Sequence, residues 1–99
     1  MLSKRSLFIQ NHWVEAKGIP LVSMSPINDR IVWKGKSASI EQVSFAVKVA
    51  AAVQEKWENN GFKNRVEVLK KFQLQIEKNK QWIADLIHQE VGKPSWEAK

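Results

Sequence analysis

The chain has 99 residues, of which 43% are hydrophobic and 26% are charged, and its formal net charge is +6. These proportions are ordinary for a globular protein and unlike those of a disordered one. The sequence contains no cysteine, so it offers no disulfide, thiolate metal ligand or thiol nucleophile. No apolar run reaches the length of a signal-peptide core or a membrane-spanning helix, which predicts a cytoplasmic protein.

Short β-strands are predicted for the first third of the chain. Apolar residues cluster at 7–14, 19–25 and 30–34. Asn11 and the Asn28-Asp29 pair lie where the chain needs turns, and both residue types tolerate the left-handed backbone conformation. Strands or a hairpin are therefore expected in this part of the chain.

An amphipathic helix is predicted next, over about 39–60. Ser39 and Gln42 have the spacing of a capping box, in which each residue bonds the other's backbone N–H. Apolar residues then recur every three or four positions as far as Trp57, and the Asn-Asn-Gly sequence at 59–61 ends the pattern.

A second amphipathic helix is predicted over 62–91, followed by the start of a third. Gly92 suits the end of the second helix, and Pro94 suits the first turn of the next one. The Gly92-Lys93 pair is not a phosphate-binding loop, because Ile87 replaces the required glycine and Pro94 replaces the required Ser or Thr.

These elements predict an α+β fold, with strands at 7–36 and helices at 39–99. No linker or repeat divides the chain, so residues 1–99 are expected to form a single partial domain. The apolar stripe of the second helix needs more partner surface than the predicted strands and first helix supply.

No catalytic centre is assembled by these residues alone. His12 is predicted in a turn, and His88 lies three residues after Asp85, which is more typical of a surface pair than of a metal site or general base. Neither histidine has a nucleophile at a useful spacing. The five tryptophans are scattered, which favours core and interface anchors over stacking platforms for nucleic acid.

The positive charge permits an acidic partner, but the pattern favours solvated helix faces. Residues 62–91 mix six basic with four acidic residues and contain no Arg-rich cluster. We therefore expect neither nucleic acid nor membrane as a partner, and binding of anionic ligands remains a weaker alternative.

The order of the motifs resembles the N-terminal part of the aldehyde dehydrogenase superfamily. Within it, VWKG at 32–35, Asn79-Lys80 and GKPSWEA at 92–98 are similar to the N-succinylglutamate 5-semialdehyde dehydrogenases of arginine catabolism. The segments that carry the superfamily resemblance are FIQNHW, SPINDRIVWKG, AVKVAAAVQEKW, NRVEVLKKF and IEKNKQWIADLIHQEVGKPSWEA.

This resemblance implies the N-terminal part of an NAD-binding domain within a longer α/β enzyme. In that family a cysteine thiolate attacks the aldehyde, the adduct passes hydride to NAD, and a glutamate activates the water that hydrolyses the thioester. None of those residues is expected here, so the resemblance implies no catalytic or cofactor-binding residue and no activity for this chain alone.

Three positions match a structural site for a monovalent cation that many members of the family hold. The resemblance implies ligation by the backbone carbonyls of Ser23 and Met24 and by the side chain of Glu90. A Glu90 that simply faces solvent is an equally good interpretation, because other ligands lie outside this sequence.

Two hypotheses for the role of the chain follow. It is expected to be a structural segment of an NAD-dependent aldehyde dehydrogenase, or an interaction module that buries its apolar helix faces by self-association. The second hypothesis predicts an oligomer.

Overall fold

The computed structural model describes residues 5–98, which form four strands followed by four helices. The predicted α+β class is confirmed. The strands are β1 (Arg5–Ile9), β2 (His12–Glu15), β3 (Pro20–Met24) and β4 (Ile31–Lys36), and the helices are α1 (Ile40–Asn59), α2 (Phe62–Lys78), α3 (Lys80–Val91) and α4 (Ser95–Ala98).

The chain divides into two compact units. The first contains the described residues up to Ser23 together with 31–55, and the second contains 24–30 together with the described residues from Lys56 onward. The single partial domain expected from the sequence stays a prediction.

Strands β1 and β2 form an antiparallel hairpin in the first unit. Gln10 and Asn11 make its two-residue loop with φ of 51° and 64°, the sign that a type I′ turn requires. The turn predicted at Asn11 is therefore confirmed. His12 was expected in this turn and lies instead in β2 opposite Ile9, because the tight loop needs only two residues.

An aromatic pair crosses this hairpin. Phe8 lies opposite Trp13, and their ring centroids are 5.1 Å apart with the planes tilted by 53°. Such cross-strand aromatic contacts stabilise an antiparallel pair. The register is irregular between Arg5 and Leu7, where β1 contains one extra residue.

Strands β3 and β4 pair as a second two-stranded antiparallel sheet. In the turn between them, Ser25 N–H donates to the Arg30 carbonyl at 2.8 Å, and Asn28 Oδ1 accepts from Arg30 N–H at 3.1 Å. Asp29 adopts φ of 58°. The turn predicted at Asn28-Asp29 is thus confirmed.

The start of α1 shows the predicted capping box. Gln42 N–H donates to Ser39 Oγ at 3.1 Å, and Ser39 N–H donates to Gln42 Oε1 at 3.0 Å. The same amide also joins α1 to the chain that follows β2. Its Oε1 accepts from Lys17 N–H at 2.9 Å, and its Nε2 donates to the Glu15 carbonyl at 2.7 Å.

Gly61 lies between α1 and α2 and provides no side-chain cap for α2 in the described structure. Side chains from the first turn of α2 instead bond the end of α1: Asn64 Nδ2 donates to the Asn60 carbonyl and Arg65 Nη1 to the Glu58 carbonyl, at 2.8 and 2.7 Å. These bonds satisfy carbonyl groups that a helix end leaves without intrahelical donors.

The single helix predicted over 62–91 is wrong at one point, because the structure interrupts it at Asn79 between α2 and α3. Asn79 has φ of −105° and ψ of 10°, outside the helical range. Its side-chain Nδ2 donates at 2.8 Å to the Gln75 carbonyl, which also accepts from the Asn79 backbone N–H at 3.2 Å. Asparagine competes in this way with the backbone for its own hydrogen bonds.

Burial is sparse among the described residues. The buried apolar residues are Ala16 and Ala84, and the buried polar residue is Ser25. Helix α2 contains no buried residue, and its Phe72 side chain is 62% exposed. The large apolar side chains of both units therefore lie mostly at the surface.

Candidate functional site

The Gly-Lys-Pro joint between α3 and α4 has the predicted conformation. Gly92 ends α3 with φ of 72°, a left-handed value, and its N–H donates to the His88 carbonyl at 2.9 Å. Helix α4 begins one residue after Pro94, whose carbonyl accepts from the N–H groups of Glu97 and Ala98. The joint is thus a helix cap followed by a helix start.

The His88 side chain forms a hydrogen bond with the backbone of this joint. Its Nδ1 lies 2.7 Å from the Lys93 carbonyl, and since a carbonyl only accepts, Nδ1 is the donor. The surface pair expected between His88 and Asp85 is wrong, because Asp85 Oδ1 accepts from Gln81 Nε2 at 2.9 Å instead. Gln81 lies one turn before Asp85 and His88 one turn after it, so spacing alone allowed either residue as the partner.

The same joint touches the turn that follows β3. A Cβ added at Gly92 would lie 3.1 Å from Pro26 Cγ and 3.7 Å from Ile27 Cγ1. The positive φ of Gly92 therefore favours glycine, and a Cβ here would also crowd the Pro26 side chain. The contact brings the end of α3 against the 25–30 turn within the second unit.

The residues of the predicted cation site are placed as follows. Met24 ends β3, two residues before Pro26, and Glu90 precedes Gly92 by two, so both flank the contact just described. Glu90 is exposed, and Ser23 is half-buried in β3 and belongs to the first unit. The carboxylate and carbonyl oxygens are hard ligands of the kind a monovalent cation takes, and the site stays a prediction.

Residues 5–98 contain no cluster of three or more His, Asp or Glu side chains arranged to hold a metal ion. An ion pair joins Lys70 Nζ and Glu67 Oε1 at 3.8 Å on the exposed face of α2. A single exposed pair of this length contributes little to stability.

The open clefts of the first unit include one lined by Val14 and Phe45 with the carboxylates Glu15 and Glu41, and two that are more apolar. One runs beside the Ala-rich face of α1 and is lined by the β1–β2 loop together with Ala46, Ala50 and Val53. The other, which we name the Trp cleft, has a volume of about 740 Å³. Its walls include Leu7, Trp13, Leu21 and Trp33, and its charged lining residues are Arg5 and Lys36.

Sequence reasoning missed the Trp cleft and the bridging role of Gln42. The cleft needs side chains from four strands, and only Trp33 carried a local signal, the glycine two residues later. A Cβ at Gly35 would lie 2.5 Å from Cη2 of Trp33, so the indole ring lies across the glycine backbone. Gln42 was identified as a cap, but its contacts with Glu15 and Lys17 span more than twenty residues.

The described residues form two β-hairpins, a capped Ala-rich helix and the Gly-Lys-Pro joint, which together make a small α+β structure. The sequence model of the aldehyde dehydrogenase family matches residues 13–99. The chain therefore belongs to the aldehyde dehydrogenase family, whose members are oxidoreductases that generally use NAD(P). No helix among the described residues combines the length and apolarity needed to cross a bilayer.

Proposed function

We propose that these 99 residues are the N-terminal segment of an NAD-dependent aldehyde dehydrogenase, with a structural and not a catalytic role. The observation that carries this proposal is the family match over residues 13–99 in a sequence without cysteine. A thiolate nucleophile has no substitute among the side chains present. The nucleophile and the NAD site are then supplied by other sequence. We also propose that the enzyme is cytoplasmic.

The exposed apolar helices fit this role. A segment that packs against the rest of a longer protein buries its apolar faces in that contact. The side chains of Phe62, Leu69 and Phe72 on α2 are all exposed here. The Gly-Lys-Pro joint is held by the hydrogen bond from His88 to the Lys93 carbonyl and lies close to Pro26. We infer that the strands and helices form part of the NAD-binding domain.

For the substrate class we propose N-succinylglutamate 5-semialdehyde. The support is the likeness of VWKG, Asn79-Lys80 and GKPSWEA to the dehydrogenases of that aldehyde. In the structure these motifs are most of β4, the α2–α3 break, and the α3–α4 joint with α4.

A chimera tests both parts of the proposal. Residues 13–99 replace the matching segment in an N-succinylglutamate 5-semialdehyde dehydrogenase and, as the control, in an aldehyde dehydrogenase of another substrate class. We expect the first chimera to remain folded and to keep most of the parent's kcat/KM, and the second to lose more activity. A first chimera without activity, or two chimeras that perform equally well, would contradict the proposal.

A further inference from the structure

The turn between α1 and α2 consists of an Asn-Gly pair, Asn60 and Gly61. The backbone nitrogen that follows an asparagine can attack the carbonyl carbon of its side chain, and a side chain on the following residue obstructs that attack. Glycine has no side chain, so the attack is least hindered at Asn60. The chain has five other asparagines that are not followed by glycine: Asn11, Asn28, Asn59, Asn64 and Asn79.

The structure leaves both reacting groups accessible. Asn60 and Gly61 are exposed. A Cβ built at Gly61 would meet nothing within 4 Å, so no other described part of the chain covers that side of the glycine. The Gly61 N–H makes a long hydrogen bond of 3.3 Å to the Glu58 carbonyl, whereas the N–H of Gly92 makes one of 2.9 Å. The attacking nitrogen is therefore weakly held.

The side-chain amide of Asn60 is also unrestrained. It makes no hydrogen bond within the described part of the chain. At the break between α2 and α3, by contrast, Asn79 Nδ2 donates to the Gln75 carbonyl at 2.8 Å. Asn64 Nδ2 is held in the same way by the Asn60 carbonyl, also at 2.8 Å. A free amide can rotate into the geometry of attack without first breaking a hydrogen bond.

We propose that Asn60 is a site of spontaneous deamidation through a cyclic imide formed with Gly61. The Gly61 nitrogen bonds to Cγ of Asn60 as the Cγ–Nδ2 bond breaks, and Nδ2 leaves as ammonia with the proton from Gly61. Water then opens the ring. Cleavage of the bond between the nitrogen and Cγ gives aspartate, and cleavage of the bond between the nitrogen and the backbone carbonyl carbon gives isoaspartate. This inference does not rest on the proposed dehydrogenase role.

The two products change the turn differently. Aspartate keeps the backbone and places a carboxylate between the C-terminal end of α1, which repels it, and the N-terminal end of α2, which attracts it. Isoaspartate routes the chain through the side-chain carbon, which lengthens the backbone. It also turns the carbonyl that accepts from Asn64 Nδ2 into a free carboxylate. Isoaspartate is therefore the product that disturbs the connection between the two helices.

The test is incubation of the 99-residue chain at mildly alkaline pH, followed by peptide mass spectrometry with fragmentation to assign the residue. We expect Asn60 to gain the mass difference between an amide and a carboxylic acid, while the other five asparagines stay intact. An isoaspartate-specific methyltransferase should label part of the product, since direct hydrolysis of the amide yields aspartate alone. Gly61→Ala should slow the conversion, because its methyl group obstructs the attack.

Lys80→Gly supplies a matched control for the role of the structure. It creates a second Asn-Gly pair, in which the Asn79 amide is held by the Gln75 carbonyl. Asn79 in this variant should convert about fivefold more slowly than Asn60, the effect of one retained hydrogen bond. A synthetic peptide of residues 57–63 gives the rate of the unrestrained sequence, and Asn60 in the chain should convert at a similar rate.

Four results would overturn the proposal. The first is an intact Asn60 in the chain after the reference peptide has converted, which would show that the fold protects the site. The second is faster conversion at another asparagine, including equal or faster conversion of Asn79 in the Lys80→Gly variant. The third is an unchanged rate in Gly61→Ala. The fourth is aspartate without isoaspartate, which would assign the product to direct hydrolysis and exclude the imide.

Discussion

Ser39 and Gln42 exchange two hydrogen bonds at the start of α1, from Gln42 N–H to Ser39 Oγ and from Ser39 N–H to Gln42 Oε1, at 3.1 and 3.0 Å. The Gln42 amide also bonds the backbone of Glu15 and Lys17 on either side of the buried Ala16. One side chain thus caps a helix and attaches it to the chain after β2.

Gln42→Ala should therefore lower the free energy of unfolding by about 1–3 kcal/mol, through loss of the side-chain bonds to Ser39 N–H, Lys17 N–H and the Glu15 carbonyl. The bond from the residue-42 backbone N–H to Ser39 Oγ is kept. Urea denaturation followed by far-UV circular dichroism measures the change. Gln54→Ala is the matched control on the same helix, and we expect less than about 0.5 kcal/mol there. Equal effects of the two substitutions would show that the Gln42 bonds do not stabilise the fold.

Local sequence patterns account for most of the architecture. The Ser39–Gln42 spacing, the asparagine-containing turns and the Gly92-Pro94 order each act over a few residues, so each was predictable from neighbours alone. The break at Asn79 was not, because the apolar stripe resumes after it and only the backbone dihedrals of this one residue leave the helical range. The spacing of apolar residues shows which face of a helix is apolar. It does not reveal a break of one residue.

The candidate sites were less predictable, because their residues come from distant parts of the chain. The 25–30 turn approaches Gly92 across more than sixty residues, and the Trp cleft draws on four strands. Nothing in the composition of either segment signals its partner. For Ser23, Met24 and Glu90 the prediction came from family resemblance and not from spacing.

Gly92→Ala should destabilise the chain by about 1–2 kcal/mol, because the residue has a left-handed φ and its new Cβ would crowd Pro26. In the Pro26→Ala background the cost should shrink, since the Pro26 Cγ atom is gone. A double-mutant cycle from thermal unfolding measures this coupling. Strictly additive effects would contradict the contact between Gly92 and the 25–30 turn.

The predicted cation site can be tested through stability. If Met24 and Glu90 help to hold a monovalent cation, potassium or sodium chloride should raise the Tm above that in choline chloride of equal ionic strength. Glu90→Gln should abolish this difference, whereas Glu77→Gln on α2 should preserve it. If the unmodified chain has the same Tm in all three salts, the predicted cation site is contradicted.

Self-association through the apolar helix faces also remains a prediction. Sedimentation velocity should show a concentration-dependent dimer or larger species, and Phe72→Glu should shift it toward monomer, because it places a charge in the exposed apolar stripe of α2. Gln75→Glu adds the same charge elsewhere on α2 and should leave the distribution unchanged. A stable monomer across the concentration range would exclude self-association.

The most direct test of the central claim is NADH formation by the purified 99-residue chain, supplied with NAD and N-succinylglutamate 5-semialdehyde. A complete dehydrogenase of the same family, assayed in parallel, confirms that the aldehyde is competent. We predict no turnover by the chain, because it contains no cysteine to form the thiohemiacetal. Sustained NADH formation above the enzyme-free rate would contradict the assignment of this chain as a structural segment of an aldehyde dehydrogenase.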